Sequence, residues 1–233
     1  KPANLSMHPG AGNPDRSVLN ALIGHFKPGS AGFSDPARLG LVHRLDKDTT
    51  GVVVVAKTPA AMAMLSAQFS ERSVKKVYQA LAFVTPRGRR LVQLSAKGRI
   101  DAPLGRHPKR RTSMAVVAEG GRSAISDWEC LELMPYAALL EVKLLTGRTH
   151  QIRVHLQHIG SPIIGDALYG EFSGLPKPLL EAAKAFGRQA LHACCLEFNH
   201  PLTKERLMFE SPLPMDFQEL IKVFRGSDMH PFT

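Results

Sequence analysis

Long apolar runs are missing from this chain. None approaches the roughly 18 residues that a bilayer-spanning helix needs, so no membrane association is expected. A charged-then-apolar amino terminus is missing as well, which excludes a visible secretory signal. Cysteine is scarce: there are three, and Cys194 and Cys195 are adjacent. That odd count argues against a disulfide scaffold and for a reducing, cytoplasmic setting. The chain has no HExxH and no paired CxxC, so no metal centre is expected. It has no GxxxxGK[ST] and no GxGxxG, so nucleotide cofactors lack support, and no GxSxG to form a nucleophile elbow. Internal repeats and low-complexity linkers are also lacking, and a single domain over 1–233 is the simplest expectation. The chain opens at Lys1-Pro2 without a methionine, so further sequence upstream is expected.

What is present is base in excess of acid. Lys and Arg number 30 against 20 Asp and Glu, a formal net charge of +10, on a chain whose 44% hydrophobic residues suit a globular fold. The charge is concentrated. Residues 87–111 carry nine basic residues (Arg87, Arg89, Arg90, Lys97, Arg99, Arg106, Lys109, Arg110 and Arg111) against the one acid Asp101. Gly88, Gly98, Gly105, Pro103 and Pro108 make the same stretch read as a mobile loop. A concentrated basic loop suits the phosphate backbone of a nucleic acid, where each neutralised phosphate releases counterions. An acidic membrane surface fits less well, because no amphipathic helix with aromatic anchors accompanies the charge.

The pattern along the chain predicts both helices and strands. Ser17 caps a short helix with Val18, Leu22 and Phe26 on one face. Residues 28–37 read as a loop. Val52–Ala56 reads as a buried strand, and Thr58-Pro59 as a helix start with Ala61, Leu65 and Phe69 facing the core. Strands are expected over 74–84, 138–145, 190–198 and 205–210. A helix is expected from about His150 to Gly160, and a final helix with Phe217, Leu220, Ile221 and Phe224 on one side. Strands and helices do not alternate regularly. The fold class expected is therefore α+β, with a mixed, mostly antiparallel central sheet and flanking helices and loops.

Three groups of residues could carry chemistry. Asp46 and Asp48 lie in a polar turn just before the apolar run, beside His43, Arg44 and Lys47. The turn is either ordinary Asp/Thr/Gly turn chemistry or a rigid mount for a carboxylate that nearby cations keep ionised. Thr146–Arg153 forms a strand-to-helix turn, where Arg148 and His150 add positive charge to free backbone N–H groups. That turn either receives an anion or is simply capped by Thr149. His192, Cys194 and Cys195 sit in an apparent strand, where core packing explains them better than metal binding. Residue types and spacing alone thus reach a basic, cofactor-free α+β domain that binds nucleic acid, with an acidic centre at 46 or 48, and no reaction.

Longer motifs go further. His43-Arg44-Leu45-Asp46-Lys47-Asp48-Thr49-Thr50-Gly51 resembles the catalytic motif of the RluA-type pseudouridine synthases. Lys76-Val77-Tyr78-Gln79-Ala80 resembles their tyrosine motif, Leu145–His155 their third motif, and Gly165-Asp166-Ala167-Leu168-Tyr169-Gly170 a fourth. The likeness covers about residues 1–222. It implies the pseudouridine synthase fold and isomerisation of uridine to pseudouridine in RNA, with no cofactor and no metal. It implies Asp46 as the essential aspartate, Arg148 as the arginine paired with it, and Tyr78 as the ring that stacks on the target base. Arg44 then fills the gap left by a flipped uridine, and flipping is required because a stacked base cannot turn about its sugar. Arg106, Lys109, Arg110, Arg111 and His150 are expected to contact RNA. The implied partner is ribosomal RNA or the pre-ribosomal large subunit, engaged by a monomer. Members of the family often carry a small S4-like RNA-binding domain ahead of the catalytic one. Ser161-Pro162 stands where His-Pro is expected. Two rival readings are a non-catalytic RNA-binding module of the same fold and a metal-dependent nuclease using Asp46 and Asp48.

Overall fold

The computed structural model describes residues 1–10, 13–26, 33, 39–110 and 112–226. In chain order these form α1 (Val18–His25), β1 (Thr50–Gly51), α2 (Pro59–Ser70), β2 (Lys75–Phe83), α3 (Pro86–Ser95), β3 (Lys97–Asp101), β4 (Leu104–Arg106) and β5 (Met114–Val116). They continue with β6 (Ile125–Leu133), β7 (Ala137–Leu144), α4 (Gln151–His158), α5 (Lys177–Phe186), β8 (Leu191–Asn199), β9 (Arg206–Glu210) and α6 (Met215–Arg225). Two compact units result: Lys1–Lys76 with Ala193–Ser211, and Val77–His192 with Pro212–Thr233.

In the first unit the run Val52–Ala56 explains the core. Successive side chains of an extended chain point to opposite sides. Val53 and Val55 pack on a cluster of Met7, Leu19, Leu39 and Leu41, beneath α1. Val52 and Val54 pack on the other side, against Ala56, Leu65, Val74, Leu196 and Phe198, beneath α2. Five consecutive apolar residues are used because both faces are covered. The segment is nevertheless not the regular strand expected. Its amides donate in turn to Ala193 O (2.9 Å), to the His43 ring (3.0 Å) and to Gly40 O (2.9 Å), so no single neighbour forms a ladder. Both expected helices form. Ser17 and Asn20 make a reciprocal capping box on α1, and Thr58 caps α2 with Pro59 at its first position. The loop expected at 28–37 lies outside the described residues, apart from Phe33.

In the second unit the strands from β2 onward follow the order β2-β7-β6-β3, joined by antiparallel ladders. Its centre is dry: Ala80, Leu81, Ala82, Phe83, Val84, Ala137, Ala138 and Leu140 are all essentially inaccessible. A helix, α6, closes the unit with Phe217, Leu220, Ile221 and Phe224 buried, as its spacing predicts.

The basic stretch departs from expectation. Residues 86–106 are not a mobile loop but helix α3 and strands β3 and β4. Thr85 accepts the Gly88 amide and Pro86 starts the helix. Gly88 is buried where a Cβ would collide with the backbone of Gly160, so its small size serves close packing. The chain turns after β4, where His107 Nδ1 accepts the amides of Lys109 and Arg110, both at 3.1 Å.

Candidate functional site

The turn that carries Asp46 belongs to the first unit. Arg44 is exposed, Leu45 is 4% accessible and Asp46 is half-buried, so the leucine anchors the turn between two polar neighbours. The Asp46 carbonyl accepts the Thr49 amide at 3.1 Å and closes the turn. The amino-terminal segment lies along it: Leu5 N–H donates to Lys47 O at 3.2 Å, and Asn4 N–H donates to Asp48 Oδ1 at 3.2 Å. The Asp48 carboxylate is thus engaged in holding the turn. Gly51, at φ +124°, ends the motif where any Cβ would strike the backbone of Ala193. Only glycine permits that approach.

His43 locks the same turn, a role that sequence reasoning did not assign. Its ring stacks on Phe69, with centroids 4.7 Å apart and planes 15° from parallel. Its Nε2 accepts the Val54 amide at 3.0 Å, so this nitrogen is unprotonated and the neutral ring carries its proton on Nδ1. Burial, and then the nearby Lys76 ammonium, push the pKa from the ordinary 6.5 down to about 4. Lys76 itself is buried, and burial followed by the charge of Arg72 lowers its pKa too.

The second unit carries Tyr78, Arg148, His150 and the basic turn. Tyr78 lies on β2 opposite Val142 of β7 and is 8% exposed. Arg148 is half-buried in the turn from β7 to α4, and its Nε donates to Ser123 O at 3.1 Å. Thr149 does not cap the helix. His150 occupies the cap position in the left-handed region, at φ +57°, without a capping side chain. Gln151 does the work instead. Its Oε1 accepts from Arg148 N–H (3.0 Å) and from the Thr146 hydroxyl (2.8 Å). Its Nε2 donates to Ile125 O (3.0 Å) and Ser126 Oγ (2.9 Å). His155, one turn on, sits between Ser126 Oγ (2.9 Å) and Ala102 O (3.0 Å). A carbonyl only accepts, so Nε2 holds the proton, and burial lowers the pKa of this ring.

Beneath this network lies a buried ion pair. Arg153 and Asp166 meet in a double hydrogen bond of 2.6 and 2.8 Å, with side chains 7% and 0% exposed. Asp166 also accepts the amides of Leu168 and Tyr169. The Arg153 guanidinium lies over the Tyr169 ring, 4.9 Å from its centroid. Tyr169 completes the chain: its hydroxyl sits 2.7 Å from His150 Nδ1 and accepts the Met114 amide at 2.8 Å. One phenol thereby ties the start of α4 to the hairpin β4–β5 that displays the basic turn. Arg106, Lys109 and Arg110 are exposed on that hairpin, while Arg111 lies outside the described residues.

Among the described residues, no group of three or more His, Cys, Asp or Glu side chains could hold a metal ion. None of their helices is long and apolar enough to cross a membrane.

Comparison with known proteins decides the family. The profile of RNA pseudouridylate synthases matches residues 1–158. The chain belongs to the RNA pseudouridylate synthase family. It is 45% identical to the ribosomal large subunit pseudouridine synthase D of Pseudomonas aeruginosa over 229 residues, covering 97% of this chain and 68% of that protein. It is 42% identical to the protein of the same name from Escherichia coli K12, covering 97% of this chain and 67% of that protein. The synthase thus spans about two thirds of the length of these relatives. Its fold is similar to that of human RNA pseudouridylate synthase domain containing 4, with a TM-score of 0.71 at 26% identity and 97% and 88% of the two chains covered. Membership makes this synthase an isomerase of uridine in RNA and sets aside both the non-catalytic module and the nuclease. Of the motifs behind the resemblance, two now have visible structural duties beyond catalysis: Thr146, Gln151, Arg153 and His155 in the third, and Asp166 and Tyr169 in the fourth.

Proposed function

We propose that this synthase converts specific uridines of large-subunit ribosomal RNA to pseudouridine, with Asp46 as its catalytic carboxylate. The observation that carries the target is the identity of 42–45% across 97% of the chain to proteins named ribosomal large subunit pseudouridine synthase D. In the reaction the N1–C1′ bond of the target uridine breaks, the uracil turns, and C5 bonds to C1′. The proton on C5 is then released and N1 gains one. Nothing is oxidised or reduced.

Each residue has a part in this scheme. Asp46 is the reacting carboxylate, and Arg148 is the guanidinium paired with it. Tyr78 stacks on the extruded base and helps move the C5 proton. Arg44 fills the gap left in the RNA, as base flipping requires. Arg106, Lys109, Arg110, Arg111 and His150 hold phosphates. What supports these roles is the match of four ordered motifs, together with the rigid mounting of the Asp46 turn by Leu45, Gly51 and His43. We further propose one catalytic domain over residues 1–233 that works as a cytoplasmic monomer on ribosomal RNA or the pre-ribosomal large subunit.

The test is to map pseudouridines in large-subunit ribosomal RNA from cells lacking the protein. Particular positions should revert to uridine, and resupply of the protein should restore them. An unchanged map would refute the proposed target.

A further inference from the structure

A second basic surface lies in the same unit as Arg148 but away from it. Helix α3 and strand β3 border a cleft of about 460 Å³. Arg87, Arg90 and Lys97 stand on its rim, and Leu91, Leu94 and Trp128 form its apolar wall. Leu94 is 75% exposed. Gly98 lies directly against the Trp128 indole, where a Cβ would come within 3.0 Å of the ring.

The charge on this rim is not explained by stability. Arg87 and Arg89 fall in the first turn of α3, which has no acid, and Arg90 follows directly after it. The first turn is the positive end of the helix dipole, where cations are disfavoured. Helix α6 shows the ordinary arrangement, with Asp216 in its first turn and Lys222 and Arg225 in its last. Of the three arginines, Arg89 alone serves the interior, where it donates to the carbonyls of Met134 and Pro135. Arg99 is neutralised by a double hydrogen bond to Asp127. Arg87, Arg90 and Lys97 meet no carboxylate at ion-pair distance among the described residues. Lys97 stands opposite Glu129 across the β6–β3 ladder, but Arg87 and Arg90 have no such carboxylate, and two such cations beside an apolar wall complement a ligand with phosphates and flat apolar rings.

The cleft is remote from Arg148 by two separate measures. Arg148 bonds to Ser123, next to the Ile125–Asp101 end of the β6–β3 ladder, whereas the cleft opens at its Lys97–Glu129 end. Four strand residues span about 13 Å. The cleft also touches Ile159, past the far end of α4, and an eight-residue helix is about 12 Å long.

We propose that this cleft is a second RNA-binding surface. It holds the sugar-phosphate backbone of a segment outside the target uridine, with a base laid on Leu91 and Leu94, which are backed by the buried Trp128. The proposal rests on the reading of the protein as a ribosomal RNA synthase, and its test separates the two. Steady-state kinetics are measured for the parent and for R87E/R90E on two RNAs: a short loop bearing only the target uridine and its immediate neighbours, and a long RNA with flanking helices. On the long RNA the variant should raise KM about tenfold with kcat kept. The slope of log KM against log salt should fall by about 2, one for each phosphate no longer neutralised. On the short RNA the two proteins should match, which also shows that the variant folds. Leu94→Asp should raise KM on the long RNA alone. Unchanged KM on the long RNA, with both proteins active, would overturn the cleft proposal and leave the function standing. Equal losses on both RNAs would overturn it too, by showing a structural role. Binding of vesicles rich in phosphatidylserine, lost in R87E/R90E while KM on RNA stays put, would reassign the surface to a membrane. No conversion of either RNA by the parent would instead refute the ribosomal RNA reading.

Discussion

Acid should weaken the Asp46 turn through His43, and by a calculable amount. The native ring is neutral because Nε2 must accept the Val54 amide, and its pKa lies at about 4 against an ordinary 6.5. In the unfolded chain the same ring protonates below 6.5. As pH falls from 6.5 toward 4, the unfolded state therefore gains a proton that the folded state refuses, and stability is lost. The gap corresponds to about 2 kcal/mol between pH 7.5 and pH 5, and about 3 kcal/mol by pH 4. His43→Gln removes the titration and keeps an amide oxygen that can accept from Val54. Urea unfolding followed by circular dichroism at pH 7.5 and pH 5 reads both proteins, and other titrating groups, His155 among them, cancel in the difference. The parent should lose about 2 kcal/mol more than the variant. Equal losses would refute the neutral, hydrogen-bonded ring.

Other outcomes follow from the second unit. Asp166→Asn leaves the buried Arg153 charge unpaired and should cost about 3–5 kcal/mol, read as a fall in Tm; an unchanged Tm would contradict the pairing. Tyr169→Phe strips the acceptor from the Met114 amide and the phenol from His150, which should cost about 1–3 kcal/mol and raise KM for RNA, since the basic hairpin loses this hydrogen-bonded tie to α4. Equal Tm and equal KM would show that this phenol ties nothing. Lys109→Glu with Arg110→Glu should weaken binding across RNA sequences and lower the salt slope by about 2, and a constant slope would remove the turn from the interface.

Much of the fold is legible in the sequence where one physical signal dominates. Thr58-Pro59 announces α2, and the spacing of Phe217, Leu220, Ile221 and Phe224 announces α6. The stretch 86–106 misleads because its charges mask its order. In α3 only Gly88 and Val92 are buried, so the helix sends little of its apolar surface to the core. Strands β4 and β5 are three residues each, too short for alternation to register, and α5 starts at Lys177 without a side-chain cap. Helix α4 shows the opposite difficulty. Apolar periodicity finds Ile152 and Leu156, yet Gln151, Arg153 and His155 are equally buried because each has hydrogen-bonding partners. Hydrophobic patterning has no means of seeing a satisfied polar core. The site residues are legible only as motifs. Nothing in composition separates Asp46 from Asp48; only the longer motif does.

The most direct test is tritium release from RNA carrying 5-tritiated uridine, compared between the parent and Asp46→Asn. With Asp46 as the catalytic carboxylate, the variant should release tritium at least about a hundredfold more slowly while its affinity for the same RNA is nearly unchanged. Turnover retained in that variant would contradict the account at its centre.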